Sequence, residues 1–147
     1  MSLKDQLTQD LKTALKSGDE TRKNTVRLLL AAVKQVEVDR QVTLTDDDLL
    51  AVLQKEAKSR RESLAEAQTA GRADLTADLE AELAVIEAYL PQALSREELR
   101  ALAQAAIAEA GATEAKHLGA VMKLLTPRTK GRADGKLVNE IVRELLA

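Results

Sequence analysis

The sequence predicts an all-α fold, an N-terminal bundle of about four helices over residues 1–90 followed by a small three-helix domain over 91–147. Three observations carry this. Apolar residues recur at helical spacing throughout, with no convincing two-residue alternation. Alanine and leucine, both strong helix formers, supply 25 residues each. Capping residues, glycines and prolines fall between the periodic segments.

The elements follow in order. Ser2 with Asp5 forms a capping box, and Leu3, Leu7, Leu11 and Leu15 repeat at steps of four, which predicts a first helix to Lys16 stopped by Ser17-Gly18-Asp19. A second helix is expected over Glu20 to Val38. It has Val26, Leu29, Leu30, Val33 and Val36 on one face and Leu28 and Ala32 on the other, so it reads as central and buried. Thr45 and the run Asp46-Asp47-Asp48 open a third helix to Ala70, the carboxylates lying over the positive end of its dipole. Arg60 falls within the apolar stripe of that helix. It either lies along the stripe edge with its head in water or forms a buried ion pair, with Glu37 as the candidate partner.

Leu75, Leu79, Leu83, Ile86 and Leu90 mark a fourth helix ended by Pro91. Ser95 and Glu98 form a second capping box, opening a fifth helix to Ala110 with Gly111 as its stop. Leu118, Val121, Met122 and Leu125 define a short sixth helix broken before Pro127. Leu137, Val138, Ile141, Val142 and Leu145 define a seventh, with Asp134 as its N-cap. The boundary is placed near Pro91. A second domain this small is near the limit for independent folding.

Composition narrows the chemistry. Cysteine, phenylalanine and tryptophan are absent, Tyr89 is the one aromatic and His117 the one histidine. Disulfides, thiolate chemistry, Cys-ligated metals and multi-histidine metal sites are excluded, as are the aromatic platforms on which many proteins stack single-stranded bases. His117 reads as a surface or capping residue, and Tyr89 as a packing residue whose hydroxyl is tied to a loop. Asp46-Asp47-Asp48 reads as helix-start decoration and not as a metal site. No catalytic residues, metal or cofactor are expected. The longest apolar run, Leu28 to Val33, is too short to cross a membrane, and the first residues lack a secretory leader's apolar core, so a cytoplasmic protein is expected.

Charge is distributed unevenly. Residues 1–90 carry 13 Lys/Arg against 17 Asp/Glu, whereas residues 91–147 carry 9 against 7. Between Lys116 and Lys136 six basic residues face only Asp134. The stretch Pro127 to Lys136 holds Arg128, Lys130, Arg132 and Lys136, with Gly131 and Gly135 allowing close backbone approach to a ligand. Amides at the start of the seventh helix would add positive potential there, which suits a phosphate backbone. A solvated basic loop is the alternative. Lys58 and Arg61 on the third helix, and Arg72 in the bend after it, form a second basic group; Glu56 and Glu62 dilute it, so a solvated helix face is also open.

At these motifs the chain resembles the GatB/YqeY family, and within it the stand-alone YqeY-like proteins. The resemblance is carried by Val26-Arg27-Leu28-Leu29-Leu30-Ala31-Ala32, by Lys58-Ser59-Arg60-Arg61-Glu62-Ser63 leading to Ala70-Gly71-Arg72-Ala73-Asp74-Leu75, by Ile86-Glu87-Ala88-Tyr89-Leu90-Pro91, and most specifically by Gly119-Ala120-Val121-Met122 through Pro127 to Val138. Ala67 departs from it, standing where the family usually has Phe.

The resemblance implies a two-part helical fold similar to the C-terminal region of the B subunit of glutamine-dependent aminoacyl-tRNA amidotransferase, a carbon-nitrogen ligase. That region helps hold tRNA, while the chemistry resides in domains this chain does not have. The expectation is therefore a non-catalytic module that contacts tRNA, or a tRNA-processing partner such as the amidotransferase, through Arg128, Lys130, Arg132 and Lys136, with Lys58, Arg61 and Arg72 extending the surface. Two other readings are a protein-interaction adaptor docking an acidic partner, and an accessory to the amidotransferase reaction.

Overall fold

The computed structural model describes residues 1–147, which fold as seven α-helices and no strand, in two compact units, Met1–Leu90 and Pro91–Ala147. The first unit holds α1 (Leu3–Ser17), α2 (Glu20–Arg40), α3 (Asp46–Thr69) and α4 (Ala73–Glu87). The second holds α5 (Arg96–Ala110), a 3₁₀ turn (Ala115–His117), α6 (Leu118–Thr129) and α7 (Gly135–Leu146).

In the first unit Ser2 and Asp5 form the capping box. Leu3 and Leu7 of α1 join Val26, Leu29 and Val33 of α2, Leu49, Leu53 and Ala57 of α3 and Ile86 of α4 in one core. Full burial of a leucine such as Leu7, Leu29 or Leu53 contributes about 2 kcal/mol. α2 packs against α1, α3 and α4, yet it is not buried all round: Leu28 is 52% and Val38 62% exposed. Leu28 and Ala32 therefore mark a solvent-facing side and a margin, not a second core face. α4 stops at Glu87, before the predicted end, and Tyr89 turns back so that its hydroxyl donates to the Asp10 carboxylate on α1, a helix and not a loop.

Arg60 is drawn in rather than extended into water, with its side chain 15% exposed. Its partners are Glu56, one turn earlier, and Glu82 of α4 at 3.6 Å. Glu37 belongs instead to Lys4 at 2.8 Å and to the Leu44 amide at 2.9 Å. The predicted Arg60–Glu37 pair is thereby corrected. Periodicity places a residue on a face, but which neighbouring helix that face meets depends on packing.

In the second unit Ser95 and Glu98 cap α5 reciprocally, and Gly111 ends it. Leu99, Ala103 and Ala106 pack with Val121 and Leu125 of α6 and with Val138, Ile141 and Val142 of α7. His117 caps: its Nδ1 accepts from the amides of Thr113 at 3.1 Å and Glu114 at 3.4 Å. α6 does not break before Pro127. It runs to Thr129 with Pro127 inside. The proline has no N–H to give to the Lys123 carbonyl four residues back, yet the helical course continues for two more residues.

Candidate nucleic-acid interface

The end of α6 reshapes the predicted basic loop. Pro127, Arg128 and Thr129 are helical, and so are Gly135 and Lys136 at the start of α7, which leaves Lys130 to Asp134 as the connection. Thr129 anchors it: its side chain is buried, its hydroxyl donates to the Leu125 carbonyl at 3.2 Å, and its own carbonyl accepts from the Arg132 amide at 2.9 Å and the Ala133 amide at 3.1 Å. Lys130 has φ −55° and ψ 124°, and Gly131 has φ 78°. With the bond from Arg132 to Thr129 this is a type II turn, which requires a positive φ at its third residue and so explains Gly131.

Lys130 stands exposed at the tip of that turn. Arg132 is fixed twice: its carbonyl accepts from the Leu94 amide at 2.8 Å, and its Nε donates to the Gln92 carbonyl at 3.2 Å. Lys136 is exposed in the first turn of α7. None of the three has an acidic partner within ion-pair distance. Arg128 does: it is bound to Glu109 of α5 at 2.6 Å, so it is less available to a ligand than the loop reading expects.

The helix start contributes less than anticipated as well. The Asp134 carboxylate accepts from the Lys136 amide at 3.2 Å, placing a negative charge where an anion was expected to sit. Cationic side chains, and not backbone amides, would hold a phosphate here. Gly135 has no positive φ and a Cβ added there would meet nothing within 4 Å, so the fold does not itself require glycine at this position. Sequence reasoning counted Lys123 without singling it out. It is exposed on α6 seven residues before Lys130, and that spacing returns nearly to the same face of a helix.

The second predicted group is weaker. Arg61 pairs with Glu87 at 3.1 Å and Arg72 with Asp74 at 3.9 Å, leaving Lys58 as the one member without an acidic partner. Beside Arg72 lies a notch of about 380 Å³ between the end of α3 and the start of α4, lined by Ala67, Ala70, Leu75 and Leu79 among others. Another, of about 220 Å³, is lined by Glu20, Asn24, Thr25, Asp78 and Glu82 with Thr21. No helix is long and apolar enough to cross a membrane.

A family model described as Yqey-like protein matches residues 4–146. The chain belongs to the YqeY family. Among curated YqeY-like relatives, Altered inheritance of mitochondria protein 41, mitochondrial, from Eremothecium gossypii is 40% identical over 111 residues, covering 73% of this chain and 60% of the relative. The protein of that name from Pyrenophora tritici-repentis is 30% identical over 144 residues, 95% of this chain and 78% of the relative. That from Vanderwaltozyma polyspora is 33% identical over 85 residues, 57% and 46%. The matches thus span from about half to four fifths of these relatives' length.

These names overturn the cytoplasmic expectation, because the relatives are mitochondrial proteins by name. The absence of a helix long and apolar enough to cross a membrane bears on membrane insertion alone. It does not separate the cytoplasm from the aqueous interior of an organelle.

Proposed function

We propose that this YqeY-family protein is a non-catalytic module that binds folded RNA, tRNA in the first instance, through phosphate contacts from Lys130, Arg132 and Lys136. The observation that supports it is the turn between α6 and α7. Thr129, Gly131 and the Gln92 carbonyl hold this turn in one conformation, and it presents three cations without acidic partners. A preorganised surface loses little conformational entropy on binding. The resemblance to the amidotransferase tail supplies the ligand class, and the mitochondrial names of the relatives point toward RNA of that compartment.

Contacts of this kind are electrostatic and read shape, not base sequence. The test is a titration of tRNA at several salt concentrations. Affinity falls steeply with salt, and neutralising Lys130 and Arg132 together flattens the dependence by about 1.5 to 2 units of log affinity per log salt. Absence of tRNA binding at low salt overturns the proposal. Equal affinity for unstructured polyanions favours an adaptor for an acidic partner instead. A change in transamidation on adding the chain to a complete amidotransferase would favour the accessory reading.

A further inference from the structure

The first unit carries a cationic surface that the sequence motifs did not mark. It lies on the α1–α2 hairpin, not on α3. Residues 11–18 and 21–36, the body of the hairpin on either side of its turn, contain six Lys/Arg and no Asp or Glu. Over residues 1–40 as a whole the count is 8 Lys/Arg against 6 Asp/Glu, whereas residues 45–90 have 5 against 11. The acidic average of the unit therefore conceals a positive hairpin.

The structure accentuates the imbalance, because every acid of the hairpin is engaged. Asp5 and Asp19 cap helices, Asp10 receives the Tyr89 hydroxyl, Glu20 holds Lys23, Glu37 holds Lys4, and Asp39 accepts from Gln35. Lys12, Lys16, Arg27 and Lys34 have no acidic partner and are exposed. Lys12 and Lys16 stand one turn apart, about 6 Å along α1, on the side away from Leu3 and Leu7. Arg27 and Lys34 are seven residues apart, nearly in line along α2 and away from Leu29 and Val33. The antiparallel course of the hairpin brings Arg27 to about the level of the Lys12 turn.

We infer that Lys12, Lys16, Arg27 and Lys34 form a second phosphate-binding face, whose ligand is the backbone of double-helical RNA. The charge pattern calls for a polyanion. The single aromatic, Tyr89, is committed to Asp10, so the chain offers no stacking platform for splayed bases, and backbone contacts to a duplex remain. Leu15 and Leu28, each about half exposed, are the large apolar side chains next to these cations, one on each helix, whereas protein interfaces centre on larger, clustered anchors. This inference rests on the RNA-binding reading above and deepens it.

The test uses the full chain and two RNA probes, a tRNA and a perfect RNA duplex, with salt titrations of the wild type, of the double variants Lys12→Gln/Lys16→Gln and Arg27→Gln/Lys34→Gln, and of Lys130→Gln/Arg132→Gln. Unchanged helical circular dichroism checks each fold. Each hairpin double variant flattens the salt dependence on both probes by about 1.5 units, and Lys12→Arg/Lys16→Arg restores it. If the hairpin variants match wild type while the Lys130/Arg132 variant is impaired, the second face is refuted and the RNA-binding reading stands. If the wild type binds neither probe, both fall. If the hairpin variants and Leu15→Ser weaken binding of polyglutamate but not of RNA, the face is a protein-docking surface and the inference fails.

Discussion

The Tyr89 hydroxyl donates a hydrogen bond to the Asp10 carboxylate, joining the segment after α4 to α1 across 79 residues. Burial, then the bond to Asp10 and its negative charge, raises the hydroxyl well above the ordinary tyrosine range. With a raised folded-state value, the stability it contributes is complete below the unfolded value of about 10 and is lost as pH rises through the folded one. With no tryptophan and one tyrosine, ultraviolet absorbance follows this group alone. The expected result is tyrosinate formation at higher pH in the folded chain than in urea. Tyr89→Phe should lower stability by about 1 to 2 kcal/mol, since it leaves Asp10 without its donor.

Glu37 runs the other way. The hydrogen bond from Lys4, then that from the Leu44 amide, holds its carboxyl below the ordinary range, against a smaller opposing effect of burial. Its contribution is present above the unfolded value of about 4.3 and is lost as pH falls through the lower folded value. Urea unfolding of Glu37→Gln should show a deficit against wild type at neutral pH that shrinks below about pH 4. A deficit that persists unchanged into acid would remove the ion pair as its source.

Arg60 should couple to Glu82 and not to Glu37. A double-mutant cycle on Arg60→Ala and Glu82→Ala is expected to give about 0.5 to 1 kcal/mol of interaction, and the cycle with Glu37→Ala none within error. Coupling to Glu37 would contradict the observed packing.

Gly131→Ala places a Cβ on a backbone at φ 78°. Thermal unfolding should register a loss of about 1 kcal/mol or more. Because Lys130 and Arg132 flank this residue, tRNA affinity should fall further than the stability change explains; unchanged affinity would separate the turn from binding.

Ala67→Phe tests the notch at the junction of α3 and α4. A buried alanine ordinarily resists enlargement, at about 1 to 3 kcal/mol. Here Ala67, although only 3% exposed, borders about 380 Å³ of open space beside Leu75 and Leu79. The ring should fill it and raise the melting temperature, whereas a lowered one would mean that the notch cannot admit it.

Features written in a few neighbouring residues were legible in the sequence. The capping boxes at Ser2 and Ser95, the Asp134 cap and the Gly111 stop each depend on contacts within about one helical turn, and all form. What could not be read is which charges are already taken. Arg128 meets Glu109 and Arg61 meets Glu87 across helices, 19 and 26 residues away, so a motif that displays four cations delivers three. Pro127 misled for a different reason: a proline disfavours the helix on its N-terminal side without forbidding it, and α6 carries it and ends two residues later. The hairpin cations escaped notice because they form no motif. Only the removal of every neighbouring acid into a cap or pair sets them apart.

The bonds Leu94 N–H to Arg132 C=O and Arg132 Nε to Gln92 C=O close the second unit's first segment onto the turn between its last two helices. Hydrogen exchange gives that closure a measurable signature. The Leu94 amide and the distant Arg132 and Ala133 amides become protected or exposed as one cooperative set, since opening the turn frees all three from their two acceptors, the Arg132 and Thr129 carbonyls.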